Sequence, residues 1–351
     1  MRLLLAICIT LSSIAIQAAP LKVAFVYVSP VGDVGWSYSH DLGRKYLEQQ
    51  FGSDIVTSIV ESVPEGRNAR KVLVKLAQEN DVVFATSWGY MVSMERVAEQ
   101  YPNVKFEHAT GIRQGANLST YATRAYQARY LSGMVAAAMS STNRIGYVAA
   151  FPIPEVIRGV NAFTLGAQAI NPDIAVAVEW TNAWYAPAVA RKLSNKLVDD
   201  GADVLAQHTD SPSPVEVAEQ RGIYAIGYHS DMSAFGPASH LTSVIHDWGT
   251  LYEKRIQSFM DNTAKVENSW TGLKEGSTKL SAINSKVPRY IVEKINAAKG
   301  EISSGELDIF AGPIKNHKGR VRIKEGKSMD DEDLHRMNWY VSGIEGDLKF
   351  Y

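Results

Sequence analysis

From residue 21 onward, short runs that are apolar at nearly every position alternate with longer stretches whose apolar residues recur every three or four positions. Leu21–Val28 is such a run, closed by a Pro/Gly turn and followed by a helical stretch through Gln50. Ile55–Val60 and Asp81–Ala85 predict further strands with Ala69–Gln78 helical between them; Val104–Ala109 predicts a strand and Ala125–Ser140 a helix. The pattern then restarts: strand Arg144–Ala150, helix Pro154–Ile170, strand Ile174–Trp180, helix Ala186–Asp200, strand Val204–Gln207, helix Val215–Arg221 and strand Tyr224–Gly227. Leu241–Ile245 predicts one more strand and Leu251–Met260 one more helix, which the pattern alone does not assign to either half. Apolar strands separated by helix-length crossovers predict parallel sheets covered on both faces, with right-handed connections. The expected class is α/β, in two similar lobes, each a parallel sheet flanked by helices.

The first nineteen residues differ from the rest. Arg2 precedes an apolar stretch from Leu3 to Ile16 that is too short to span a bilayer, and small residues follow at Ala18 and Ala19. A cleaved secretory signal peptide over 1–19 is expected, and with it a periplasmic location. The single cysteine, Cys8, falls inside it. Without a thiol, the exported chain escapes mispairing in an oxidising compartment and holds neither a Cys nucleophile nor a Cys-ligated metal. With 36 Lys+Arg against 37 Asp+Glu, net charge does not hold a polyanion, so nucleic acid is not an expected partner. At 351 residues the chain exceeds what one core fills, in keeping with two compact units.

In open α/β sheets a ligand sits beyond the carboxyl ends of the strands. The loops there are Ser29–Tyr38, Thr86–Tyr90, Thr181–Tyr185, His208–Pro212 and Tyr228–Asp231, and they carry three of the seven Trp. A Trp in a Gly-flanked polar loop has no strand core to fill. Rings on facing lobes would sandwich a flat ligand, because offset stacking favours planar π systems. Trp36, Trp88 and Trp184 are therefore candidate ligand contacts. His208, His229 and His246 fall near strand ends and could meet in space, but none of the eight His stands in an H-x-x-x-H or H-E-x-x-H spacing, so no metal is expected. No G-x-S-x-G, G-x-x-x-x-G-K-[ST] or strand-linked G-x-G-x-x-G occurs, which disfavours phosphorylated ligands.

Several ordered motifs carry a family resemblance: Tyr130-Leu-Ser-Gly133, Asn171-Pro-Asp173 after a helix containing Gly166, Gly201-Ala-Asp-Val204, Ala225-Ile-Gly227 with Asp231, and Leu241-Thr-Ser-Val244. From about Lys22 to Asp308 the chain resembles the basic membrane protein family of solute-binding proteins. The resemblance implies a two-lobed type I periplasmic binding fold, service to an ATP-driven importer with separate permease and ATPase subunits, and a purine or purine-nucleoside ligand. Gly35–Arg44 is similar to the start of a proteobacterial subgroup linked to free bases such as adenine. Carried onto this chain, the family's aromatic positions map to Trp36 and Trp184 and its acidic positions to Asp210 and Asp231. Nucleoside binders of the family have a Lys shortly after the Thr-Ser-Val strand; here the residue is His246. The absence of that ammonium at the sugar end favours a nucleobase, although His246 can donate to a hydroxyl.

A purine offers two stackable faces and an edge of mixed donors and acceptors. Asp210 is the expected edge acceptor, with Asn161 and Arg158 as further candidates. Asp210 and Asp231 each admit a plain reading as turn or helix caps, and Asn161 one as a solvated helix face. The expected organisation is lobe one at 20–142 plus about 248–270, lobe two at 143–247 plus about 271–311, hinges near Thr142 and Asp247, and a C-terminal extension over 312–351 anchored by Trp339. The expected function is capture without catalysis, by a monomer that needs no cofactor and meets the membrane only through its permease. The rivals are a nucleoside binder of the same class, a purine hydrolase using Asp210 and His208 as acid–base partners, and a sensory binding protein handing its closed form to a receptor.

Overall fold

The structure, a computed structural model, describes residues 19–348; nearly all of the expected signal peptide, Cys8 included, lies outside them. The first sheet starts with β1 (Leu21–Val26), β2 (Ile55–Val60), β3 (Val82–Ala85), β4 (Lys105–Ala109) and β5 (Leu118–Thr123), all parallel, in the order β2-β1-β3-β4-β5. Helices α1 (Trp36–Phe51), α2 (Arg67–Glu79) and α3 (Met91–Gln100) connect them. The strand interiors are dry: Val23, Ala24, Phe25 and Val26 are wholly buried, as are Val82 to Ala85. This is the near-continuous apolar run that a sheet covered on both faces requires.

Helix α4 (Ala125–Met139) leads into the second sheet, formed by β6 (Arg144–Ala149), β7 (Ala175–Trp180), β8 (Val204–His208), β9 (Tyr224–His229) and β10 (His240–His246), with α5 (Pro154–Ile170), α6 (Pro187–Asp199) and α7 (Ser213–Arg221) between them. Its order, β7-β6-β8-β9-β10, repeats that of the first sheet. Helix α8 (Gly249–Met260) returns to the first sheet. There Arg255 donates through Nε to the buried Glu107 carboxylate of β4 at 2.9 Å. β11 (Asn268–Thr271) then pairs beside β5, and β12 (Thr278–Leu280) runs antiparallel beside β10.

One boundary differs from expectation. The sequence pattern places residues 125–142 in lobe one with a hinge near Thr142, but α4 is buried nearly all round against α5 and the second sheet. The chain therefore crosses at Arg124. It crosses again at Asp247, and a third time at 272–277. The three crossings lie side by side: Arg124 N–H donates to Thr271 O at 2.6 Å, Asp247 N–H to Ser277 O at 2.9 Å, and Leu273 N–H to Gln127 Oε1 at 2.9 Å.

After α9 (Arg289–Ser304), the extension forms an antiparallel pair, β13 (Ile314–Lys315) and β14 (Val321–Ile323), a short helix α10 (Asp331–His335), and β15 (Ile344–Glu345), which adds a parallel strand to β7. Trp339, Tyr340 and Val341 are buried in the second lobe's core. Among the described residues no helix is long and apolar enough to cross a membrane.

Candidate functional site

The two sheets present the carboxyl ends of their strands to one cleft, where Val28, Trp36, Ser87, Trp88 and Thr110 face Glu155, Trp184, His208, Asp210 and His229 around a cavity of about 20 Å³. That is room for about one water. Beyond Trp88 and Trp184 the cavity adjoins a groove of about 900 Å³, walled by Glu65, Phe151 to Pro154, Asn182 and, from the extension, Arg336 to Asn338.

Trp36 opens α1. Its indole Nε1 donates to Thr86 O at 2.6 Å, and its ring meets four others edge-on: His40 at 4.3 Å between centroids, His229 and His246 at 5.3 Å, and Trp248 at 5.5 Å. His246 lies stacked between His229 and Trp248 and shares a hydrogen bond with Thr123 Oγ1 at 2.8 Å. His208 stands 5.4 Å from His229. The expected meeting of these three strand-end histidines therefore occurs. Six side-chain nitrogens here are buried without a partner: His40 Nε2, His208 Nδ1, His229 Nδ1, His246 Nε2, and Nε and Nη1 of Arg129. Buried polar atoms are ordinarily paired, so a group left without partners at strand ends makes this cleft a candidate ligand site. His229 also holds a left-handed backbone, φ 70°, a strain that clusters at functional positions.

Behind the histidines, the buried Arg129 guanidinium donates to Gln207 O at 2.7 Å and lies 3.3 Å over the Tyr228 ring. Burial holds the imidazoles neutral: His40, His208 and His229 are pushed well below 6.5, and His246 to about 3, with the Arg129 charge adding to the effect at His208, His229 and His246. Each neutral ring then offers one N–H and one lone pair. Burial raises Asp210 to about 7 against the opposing hydrogen bonds from Ser29 and Trp36, and it also raises Glu155, opposed by Arg158 and Arg129.

Trp36, Trp88, Trp184 and Asp210 thus line the cleft, while His246 packs behind it against Trp36 and His229. Trp184 reaches across it, donating from Nε1 to Glu65 Oε1 at 3.1 Å, and meets Phe151 in an edge-type contact with ring centroids 5.0 Å apart. Asp210 spends its oxygens on the opposite lobe, accepting from Ser29 Oγ at 2.7 Å and Trp36 N–H at 3.3 Å; the expected edge acceptor is already engaged.

Three candidates lie elsewhere. Asn161 is wholly buried on α5, where its amide donates to Trp339 O at 2.8 Å and accepts from Val341 N–H at 3.0 Å, clamping the extension. Arg158 likewise donates to Leu334 O at 2.7 Å. Asp231 is exposed and accepts from Ser233 N–H at 2.9 Å, closing an Asx turn. Sequence reading missed His40, Glu155 and Trp248; His40 had a signal, lying one turn after Trp36 on the same helix face. Among the described residues no group of His, Asp or Glu is arranged to hold a metal.

Known proteins sharpen this geometry. A purine-binding protein of Brucella abortus is 42% identical over 329 residues, 93% of this chain and 94% of its own. A Haloferax volcanii protein named as an ABC transporter glucose-binding protein is 37% identical over 333 residues, 95% of this chain and 82% of its own. Among solved structures, an ABC transporter solute-binding protein from Aeropyrum pernix superposes with a TM-score of 0.73 at 18% identity, covering 84% of this chain and 94% of that one. It shares the fold, that of type I periplasmic binding proteins. Residues 21–311 match the Bmp family, described as ABC transporter substrate-binding protein PnrA-like. With a match over most of its length and two extensive relatives above 30% identity, the chain belongs to this family of ABC transporter substrate-binding proteins.

Proposed function

We propose that the protein captures a purine, a free base such as adenine ahead of a nucleoside, between its two lobes in the periplasm and passes it, as a monomer, to a separate permease and ATPase. The observation that carries the reading is the set of unpartnered, neutral histidine nitrogens around Trp36. A purine edge mixes donors with acceptors, and neutral imidazoles answer both; its faces suit the indoles of Trp36, Trp88 and Trp184. The B. abortus relative named for purine binding supports the same choice. With room for about one water in the cavity, a ring system enters only after the lobes part, and the bound ligand shifts an open–closed equilibrium already present in the free protein toward the closed form.

A nucleoside is the second reading, favoured by the groove of about 900 Å³ beside Trp88 and Trp184, which has space for a sugar. The hydrolase reading finds no such support, because Asp210 meets Ser29, Trp36 and His229 and not His208. Calorimetric titration with adenine, adenosine and glucose tests the proposal. Adenine is expected to bind tightest and to remain chemically unchanged. Tightest binding of glucose, the sugar named for the H. volcanii relative, would refute it.

A further inference from the structure

We propose that Asp210 is a closure latch: a carboxylate of the second lobe that caps helix α1 of the first across the cleft, and thereby positions Trp36 only when the lobes meet. The first turn of a helix leaves N–H groups without intrahelical partners. At α1 the N-cap residue is Gly35, which has no side chain to supply a cap. Asp210 supplies it from the other lobe, with Oδ1 3.3 Å from Trp36 N and Oδ2 2.7 Å from Ser29 Oγ, which is itself tied to Ser37 Oγ at 2.6 Å. A carboxylate at this end also meets the positive pole of the helix.

The backbone is shaped for the contact. Gly35, at φ +101°, lies so close to the second lobe that a Cβ there would stand 2.7 Å from Asp210 O, and its N–H donates to Ser230 Oγ at 3.1 Å. Only glycine admits both the conformation and the approach. The opposite face of the latch is fixed by Asp210 N–H donating to Trp184 O at 3.0 Å. One acidic residue therefore links two of the candidate stacking rings, one in each lobe. The inference rests on the purine reading only where it assigns Trp36 to the ligand.

Closure can be read without ligand. The chain after residue 19 has no cysteine, so Lys75→Cys and Lys192→Cys, exposed positions on α2 and α6, accept a pair of spin labels whose separation pulsed EPR measures. In ligand-free protein, Asp210→Ala and Gly35→Ala are each expected to move the distribution to longer distances, and each to weaken adenine binding at least tenfold. Should Asp210→Ala not fold, Ser29→Ala and Gly35→Ala break the same contact from the first lobe. Unchanged distances in the variants that fold would overturn the latch. Weakened adenine binding at unchanged distance would make Asp210 a ligand contact, overturning the latch but not the purine reading. If the unaltered protein binds no adenine, the purine reading fails, and the ligand-free distances still decide the latch.

Discussion

Trp36 is fixed at both of its polar ends, the backbone N–H by Asp210 and the indole N–H by Thr86 O, while four rings meet it edge-on. A side chain so held presents a ready stacking surface with little entropy left to lose. Replacing it with alanine is expected to weaken adenine binding by about 1–3 kcal/mol, roughly ten- to a hundredfold, with little change in the fold, as titration and circular dichroism would show. Trp36, Trp88 and Trp184 stand out in the sequence because a Gly-flanked strand-end loop gives an indole no strand to fill; Trp36, opening α1, nonetheless also joins the first lobe's core beside Phe25, Tyr27 and Phe84. The role of Asn161 does not stand out, because its partner carbonyl lies 178 positions downstream in the extension, and no local pattern reveals that a helix face will be covered by so distant a segment.

The closest meeting of two elements is that of α4 with α5. A Cβ on Gly133 would stand 1.9 Å from Phe163 O, and one on Gly166 1.9 Å from Tyr130 O, so each glycine lets one helix backbone rest on the other. Gly166→Ala forces the helices apart and is expected to destabilise the protein by at least about 1–3 kcal/mol, seen as a lowered midpoint in urea. Both glycines stand out in the sequence as parts of ordered motifs, but their reason is packing rather than chemistry. The alternation of strands and helices was readable for most elements. β5 was not, since Ser119, Thr120 and Thr123 interrupt its apolar run, and neither was β11, a short edge strand with only partly buried side chains. Periodicity located α4 but not the lobe it joins, because a helix buried nearly all round carries no stripe pointing toward one sheet.

The histidines make the whole molecule sensitive to acid. His40, His208 and His229 lie well below 6.5, with His246 at about 3 and His108 at about 4, all lowered chiefly by burial. Unfolding returns each to about 6.5, so the stability tied to their neutral state is present above that pH and lost as pH falls through it. Asp210 and Glu107, both raised by burial to about 7 from 3.8 and 4.5, act oppositely: their contribution is present at low pH and lost as pH rises toward 7. Burial also lowers His240 and His335 and raises Glu155, so seven imidazoles stand against three carboxyls and outweigh them. Stability is therefore expected to fall between pH 6.5 and pH 5, and urea unfolding at pH 7.5 and pH 5 would measure it; equal midpoints would mean that the rings are charged in the folded state.

Three strands of chain pass between the lobes, hydrogen-bonded to one another at Arg124–Thr271 and Asp247–Ser277. Pins set in a row admit swinging about one axis and resist shear and twist. Each half is also interleaved in sequence with the other, so a protease that nicks one passage leaves the halves tethered by two more. Neither half can be cut out as a continuous fragment, and the jaws stay aligned through repeated opening without needing to find their register again.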